Sequence, residues 1–295
     1  MQMEQALAVP RARLAWHRRL AKTGGLLLRS PTSLIGLIII VFWVVVAVIG
    51  PVIAPYGIND IDRGQVWKAA SSKHWIGTDN LGRDIFSRVI LGAREILAQS
   101  GLGTLLAVLC GTFLGLLAGY RGGWFDDVLM RIFDSLLALP ALLLALLFLG
   151  TLGPSTGSVL VVIMIVYTPI VARVVRSTVL AIRSKAYVEA ARLQGERQIH
   201  ILYREILPST LPALTVEVAL RFSYAIFLIA SLGFLGVGVQ PPSPNWGLMV
   251  KEARNFVNLI PWALIFPALA ISIVVIGVNL LADGLKTYLL SQGEE

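Results

Sequence analysis

Charge is what this chain most lacks. Of its 295 residues only 14% are charged against 56% hydrophobic, and the formal net charge is +8. Soluble domains carry about 25% charged residues. Too few ionised side chains exist here to cover the two globular domains that the length would otherwise allow. The same hydrophobic excess excludes a disordered chain. A single cysteine, Cys110, excludes a disulfide framework. The 27 glycines follow no three-residue period, which excludes a collagen-like chain. No Gly-Lys dipeptide occurs, so the phosphate cradle of a P-loop ATPase is missing. The histidines, His17, His74 and His200, lie too far apart to supply the paired ligands of a zinc protease.

What is present is long stretches without any charge. They run between Arg29 and Asp60, Glu95 and Arg121, Asp134 and Arg173, Arg221 and Lys251, and Arg254 and Asp283. Each exceeds the roughly 20 residues with which a helix crosses about 30 Å of hydrocarbon. The run after Asp134 is long enough for two spans and carries turn residues from Gly150 to Ser158. Six transmembrane helices are therefore predicted, near 34–54, 96–119, 132–150, 158–178, 212–236 and 262–284. The first has too long an apolar core for a cleaved signal, and its Pro51 to Pro55 exit lacks a small-x-small site, so it is expected to remain as an anchor. With both termini cytoplasmic, sixteen Lys and Arg fall inside and eight outside, which is the bias that sets orientation.

Within the spans few groups invite chemistry. Gly153-Pro154-Ser155-Thr156-Gly157 matches the pattern of a nucleophile elbow, but it joins two spans and no span holds a histidine base, so it reads as a turn. Gly111, Gly115 and Gly119 put three small residues on one face for close helix approach. Asp134 and Asp283 fall near cytoplasmic ends, where solvation is easy. Glu217 and Arg221 stand at i and i+4 in the fifth span, either a self-neutralised pair near its cytoplasmic end or part of a solute path.

The loop between the fourth and fifth spans has a helical pattern. Glu189, Arg192, Glu196, His200 and Arg204 recur at helical spacing beside a stripe of Val188, Ala191, Ile199, Leu202 and Ile206, with a gap at Gly195. Leu207-Pro208 is expected to close it. Such a helix can lie on lipid, pack on the bundle or dock into a partner's groove.

Glu189-Ala190-Ala191, Gly195 and Ile206-Leu207-Pro208 together resemble the EAA motif of the permease subunits of binding-protein-dependent ABC importers. Two further stretches are similar to the dipeptide, oligopeptide and nickel group of that family. One runs from His74 through Gly77, Thr78, Asp79, Gly82, Arg83 and Asp84 to Arg94, the other from Ala230 through Gln240 to Gly247. The match is to the second, or C-type, permease. It departs where Ile229 replaces a customary Glu, Glu205 a frequent His, and Lys286 an Arg.

The resemblance implies an all-α integral membrane protein with the type I ABC importer permease fold and cytoplasmic coupling helices. A basic cytoplasmic tail would cover 1–30, the first helix and external loop 31–95, a five-helix core 96–286 with the EAA loop near 179–211, and a tail 287–295. It implies a subunit of the bacterial or archaeal inner membrane forming half a pathway for dipeptides, oligopeptides, nickel chelates or glutathione-like solutes. Implied partners are a homologous permease, two cytoplasmic ATPases that bind ATP and magnesium, an external or periplasmic binding protein and the lipid bilayer, with no nucleic acid. No cofactor, metal or catalytic residue is expected in this chain. The rival readings are an ion-coupled carrier acting alone with Glu217 as its acid, and a scaffold without transport.

Overall fold

The computed structural model describes residues 30–291. Most of the basic tail expected over 1–30, and the last residues of the tail expected over 287–295, lie outside them. Helix α1 (Pro31–Ile53) begins with proline in its first turn, where a missing N–H costs nothing. Its Ser33, Gly36, Trp43, Val46, Ala47 and Gly50 turn inward, while Ile38, Val41, Val48 and Val52 stay exposed, as a helix apolar on every side does in lipid.

An external loop leads to α2 (Ile85–Arg121), which at 37 residues is about 55 Å long. It begins well before the predicted start near 96. Asp84 caps it, accepting from Ser87 N–H at 2.8 Å, and the charges of Arg88 and Glu95 find partners elsewhere in the fold. Gly111, Gly115 and Gly119 lie against α5 (Thr156–Ile182), as the small-residue spacing predicts.

The third predicted span is not one helix. It divides into α3 (Gly123–Leu137) and α4 (Ala141–Leu152), bent by 93°. Pro140 is the physical cause, since it lacks a donor and pushes Leu139 out of helical conformation. Among the described residues five helices are long and apolar enough to span, and six if this bent pair is counted as one broken span. The turn after α4 is a turn: Ser155 caps α5, accepting from Ser158 N–H at 3.0 Å.

The EAA loop folds into α6 (Ala186–Leu193) and α7 (Gln198–Ile201). The latter passes through a π-helical turn (Leu202–Ile206) into α8 (Leu207–Leu235). Pro208 therefore does not close the helix. The widened turn just before it absorbs the missing donor and the ring's clash with the preceding carbonyl. Helix α8 ends instead at Gly236, in left-handed conformation with φ 78°, ahead of Pro241-Pro242. A short helix α9 (Trp246–Ala253) and the long α10 (Trp262–Ser291) complete the described residues.

Candidate functional site

The EAA loop forms an arm with a built elbow. Val188 and Ala191 of α6 are buried in an apolar cluster with Val179, Ile182, Leu202 and Ile206. Glu189 and Ala190 stay exposed, and Glu189 sits in the first turn, where a negative charge suits the helix dipole. At the other end Gly195 N–H donates to Arg192 O at 3.0 Å and Glu196 N–H to Ala191 O at 3.2 Å. This is the paired closure of a helix that needs a left-handed residue, and Gly195 supplies it at φ 74°. Arg192 is laid over the ring of Tyr120 at 4.7 Å, tying α6 to the end of α2.

The arm leaves apolar groups uncovered. Leu193 is 90% exposed and Tyr203 73%. Ile199, which the periodicity places with the buried stripe, is 65% exposed. Of the three uses open to such a helix, packing on the bundle accounts for Val188, Ala191, Leu202 and Ile206 alone. Ile206, Leu207 and Pro208 form the junction with α8, so α7, the π turn and α8 act as one rod.

The external motif residues gather at the opposite end. Gly77 and Gly82 both have positive φ, and a Cβ would fall 2.5 Å from Lys68 O at the first and 2.3 Å from Asp62 O at the second. Thr78 Oγ1 accepts from Lys68 N–H at 3.0 Å and donates to Gln65 O. Asp79 accepts from Arg83 Nε at 2.7 Å and Asp84 pairs with His74 Nδ1 at 2.9 Å. Arg83 also reaches outside the loop. Its Nη2 reaches Glu252 of α9 at 2.7 Å, and Arg88 approaches the same oxygen at 3.4 Å.

Glu252, Arg88, Glu95, Ser243 and Trp246 are absent from the sequence-based site. Ser243 Oγ donates to Glu95 at 2.6 Å, and Trp246 Nε1 donates to Val89 O at 2.9 Å. No local periodicity pairs residues so far apart along the chain. Elsewhere in the loop, hydrogen bonding by Lys73 holds the Asp62 carboxyl below the usual carboxylate range and raises the Lys73 amine. A lowered carboxyl stabilises the loop above its unfolded pKa and ceases to as pH falls through the folded one. Both groups meet solvent, so the effect is small.

Glu217 and Arg221 do come together, with Oε1 and Nε 2.8 Å apart, well inside α8. Arg221 is equidistant from Leu207 and Leu235. Ile229, at the position of the family's acid, is 2% exposed in the apolar core.

Residues 111–291 match the model of the binding-protein-dependent transport system inner membrane component, which covers the last eleven residues of α2 and all of α3 to α10. The chain belongs to that family. Residues 13–70 of this inner membrane component match the N-terminal TM domain of oligopeptide transport permease C. It is 40% identical to the dipeptide transport system permease protein of Alkalihalophilus pseudofirmus over 258 residues, 88% of this chain and 85% of that one. It is 42% identical to the glutathione transport system permease protein of Pectobacterium atrosepticum over 251 residues, 85% of this chain and 81% of that one. The corresponding glutathione permease of Escherichia coli O6:K15:H31 is 39% identical over 259 residues, 88% of this chain and 86% of the relative. The chain is accordingly a multi-pass membrane permease component of an ABC importer, of the C type, in the inner membrane.

Proposed function

We propose that this permease component takes up dipeptides, oligopeptides or small peptides such as glutathione, and forms half of their pathway beside a homologous permease. Two cytoplasmic ATPases hold the ATP and magnesium and do the chemistry. An external binding protein delivers the solute to the face where Gly77, Thr78, Asp79, Gly82, Arg83 and Asp84 shape the first loop. Both termini are cytoplasmic, which puts the EAA arm on the side of the ATPases.

The observation that carries this reading is the elbow at Gly195. It presents the exposed Leu193 and Ile199 on two short helices, one of which continues without interruption into α8. A partner groove that closes on the arm would move α8 as a lever. The two-state element is the pair of permease halves, opening outward or inward according to the ATPases' closure.

The test is reconstitution of the whole importer in proteoliposomes with ATP inside the ATPase-facing compartment. A Cβ at Gly195 meets nothing within 4 Å in this chain, and Asp tolerates left-handed conformation better than most residues. Gly195→Asp is therefore expected to insert and fold, yet to abolish peptide uptake by obstructing the docked ATPase. Native uptake by that variant would remove the coupling role. Uptake by the purified chain alone, driven by a proton or sodium gradient, would replace the importer reading with the carrier.

A further inference from the structure

Glu217 and Arg221 are charges held where charge is expensive, and neither the arm nor the external motif uses them. Arg221 lies about 21 Å along α8 from either end. Tyr167, which faces it, is in the middle third of α5. Both residues thus sit well inside helices that are long and apolar enough to cross a membrane. Removing a charge from water costs several kcal/mol even in relaxed proteins, so an ion pair in this position calls for an explanation.

The pair is not closed by directed hydrogen bonds. Arg221 is 9% exposed. Although Nε and Glu217 Oε1 are 2.8 Å apart, neither atom makes a directed hydrogen bond. Among the described residues nothing else accepts from the guanidinium. Two aromatic rings stand beside it instead, with Arg221 Cζ 4.9 Å from the centroid of Tyr224 and 5.7 Å from that of Tyr167. A guanidinium drawn to ring faces in this way still has its fork of N–H groups to offer. That fork is the edge that takes a carboxylate through two parallel hydrogen bonds.

The surface beside it is not made for acyl chains. Glu217, Tyr224 and Ser231 recur every seven residues, on one stripe of α8. Tyr224 is half exposed, and Phe227 is exposed next to it. The outward side of α1, with Ile38, Val41, Phe42, Val48 and Val52, is apolar, with neither a phenol nor a charge among them. The contrast assigns the α8 stripe to the pathway between permease halves rather than to lipid.

We propose that Arg221 is an anchor for the carboxylate of the solute during its passage, flanked by Tyr167 and Tyr224, with Glu217 as the resident counter-ion. This rests on the importer reading and adds the chemistry that the pathway recognises, the free carboxylate of a peptide. Glu217 neutralises Arg221 when the site is empty. Once the solute's carboxylate is on the fork, Glu217 repels it, so the anchor holds weakly enough to let go, as conduction requires.

The test compares alanyl-phenylalanine with its C-terminal amide in the complete importer, with the binding protein held constant. The ratio of acid to amide uptake in the native complex is expected to fall by about tenfold, the cost of one charge-assisted contact, in E217Q/R221Q. Assembly of the variant is read from co-purification of the ATPases. R221K keeps the charge without the planar fork, and an intermediate ratio is expected. Native ratios in both variants would overturn the anchor and leave a structural pair. Should native importer move neither peptide, the peptide reading fails, and the anchor is judged without transport, by phenylglyoxal modification of Arg221 in the purified complex. Slower modification in acetate than in acetamide supports it, and equal rates overturn it.

Discussion

At Glu252 one carboxylate serves two guanidiniums. Arg83 and Arg88 are 2% and 1% exposed, and Glu252 Oε2 lies 2.7 Å from the first and 3.4 Å from the second. Asp79 also faces both, at 2.7 Å from Arg83 Nε and 3.4 Å from Arg88 Nη1. Removing one partner of a buried pair leaves an uncompensated charge and costs about 3 to 5 kcal/mol. Glu252→Ala is expected to lower the thermal unfolding midpoint of the detergent-solubilised protein markedly. Glu252→Gln retains an accepting oxygen and is expected to lower it less. An unchanged midpoint in Glu252→Ala would mean that the external loop and α9 are not held by this contact.

The elements are joined by one dry seam and one jointed rod. Along the seam, a Cβ at Gly111 would fall 2.6 Å from Val171 Cβ, at Gly115 2.5 Å from Ala172 O, and at Gly119 2.8 Å from Val179 Cβ. Helices α2 and α5 therefore touch backbone to backbone, the contact that holds helices together where lipid removes any hydrophobic drive. Gly115→Val is expected to cost about 1 to 3 kcal/mol by overpacking, while Gly150→Ala, with nothing within 4 Å, leaves stability unchanged or slightly raised. Melting curves of the two variants side by side check this, and equal midpoints would refute the seam. The rod behaves differently. Pro208 and Pro212 sit inside it without breaking it, because the π turn and neighbouring helices take up the freed backbone groups.

At the scale of the whole molecule, the scarcity of cysteine makes the topology directly testable. Cys110→Ala removes the only thiol. On that background, Ser71→Cys in the external loop and Gln194→Cys at the elbow are both exposed positions. A membrane-impermeant thiol reagent added to intact cells is expected to label the first and spare the second until the membrane is opened. The reverse pattern would invert the topology and place the EAA arm away from any ATPase. The positive-inside count of sixteen against eight already points the same way.

By itself the sequence determined that this is a membrane protein of six crossings, where the turns between spans fall, that α2 packs through its glycines, and that the EAA loop is a helix broken at Gly195. Each of these is a property of a short stretch, set by hydrocarbon thickness, helical periodicity or one residue's backbone freedom. Even the bend between α3 and α4 had its signal in Pro140. Only the tertiary structure decided that α2 begins at Ile85, because Arg88 and Glu95 are made tolerable by Glu252 and Ser243 from the far end of the chain. It also decided that Pro208 continues a helix and that Arg221 lies well inside α8 beside two tyrosines. Charge pairing across distant segments and the surroundings of a residue depend on how whole helices stack. No local pattern carries that information.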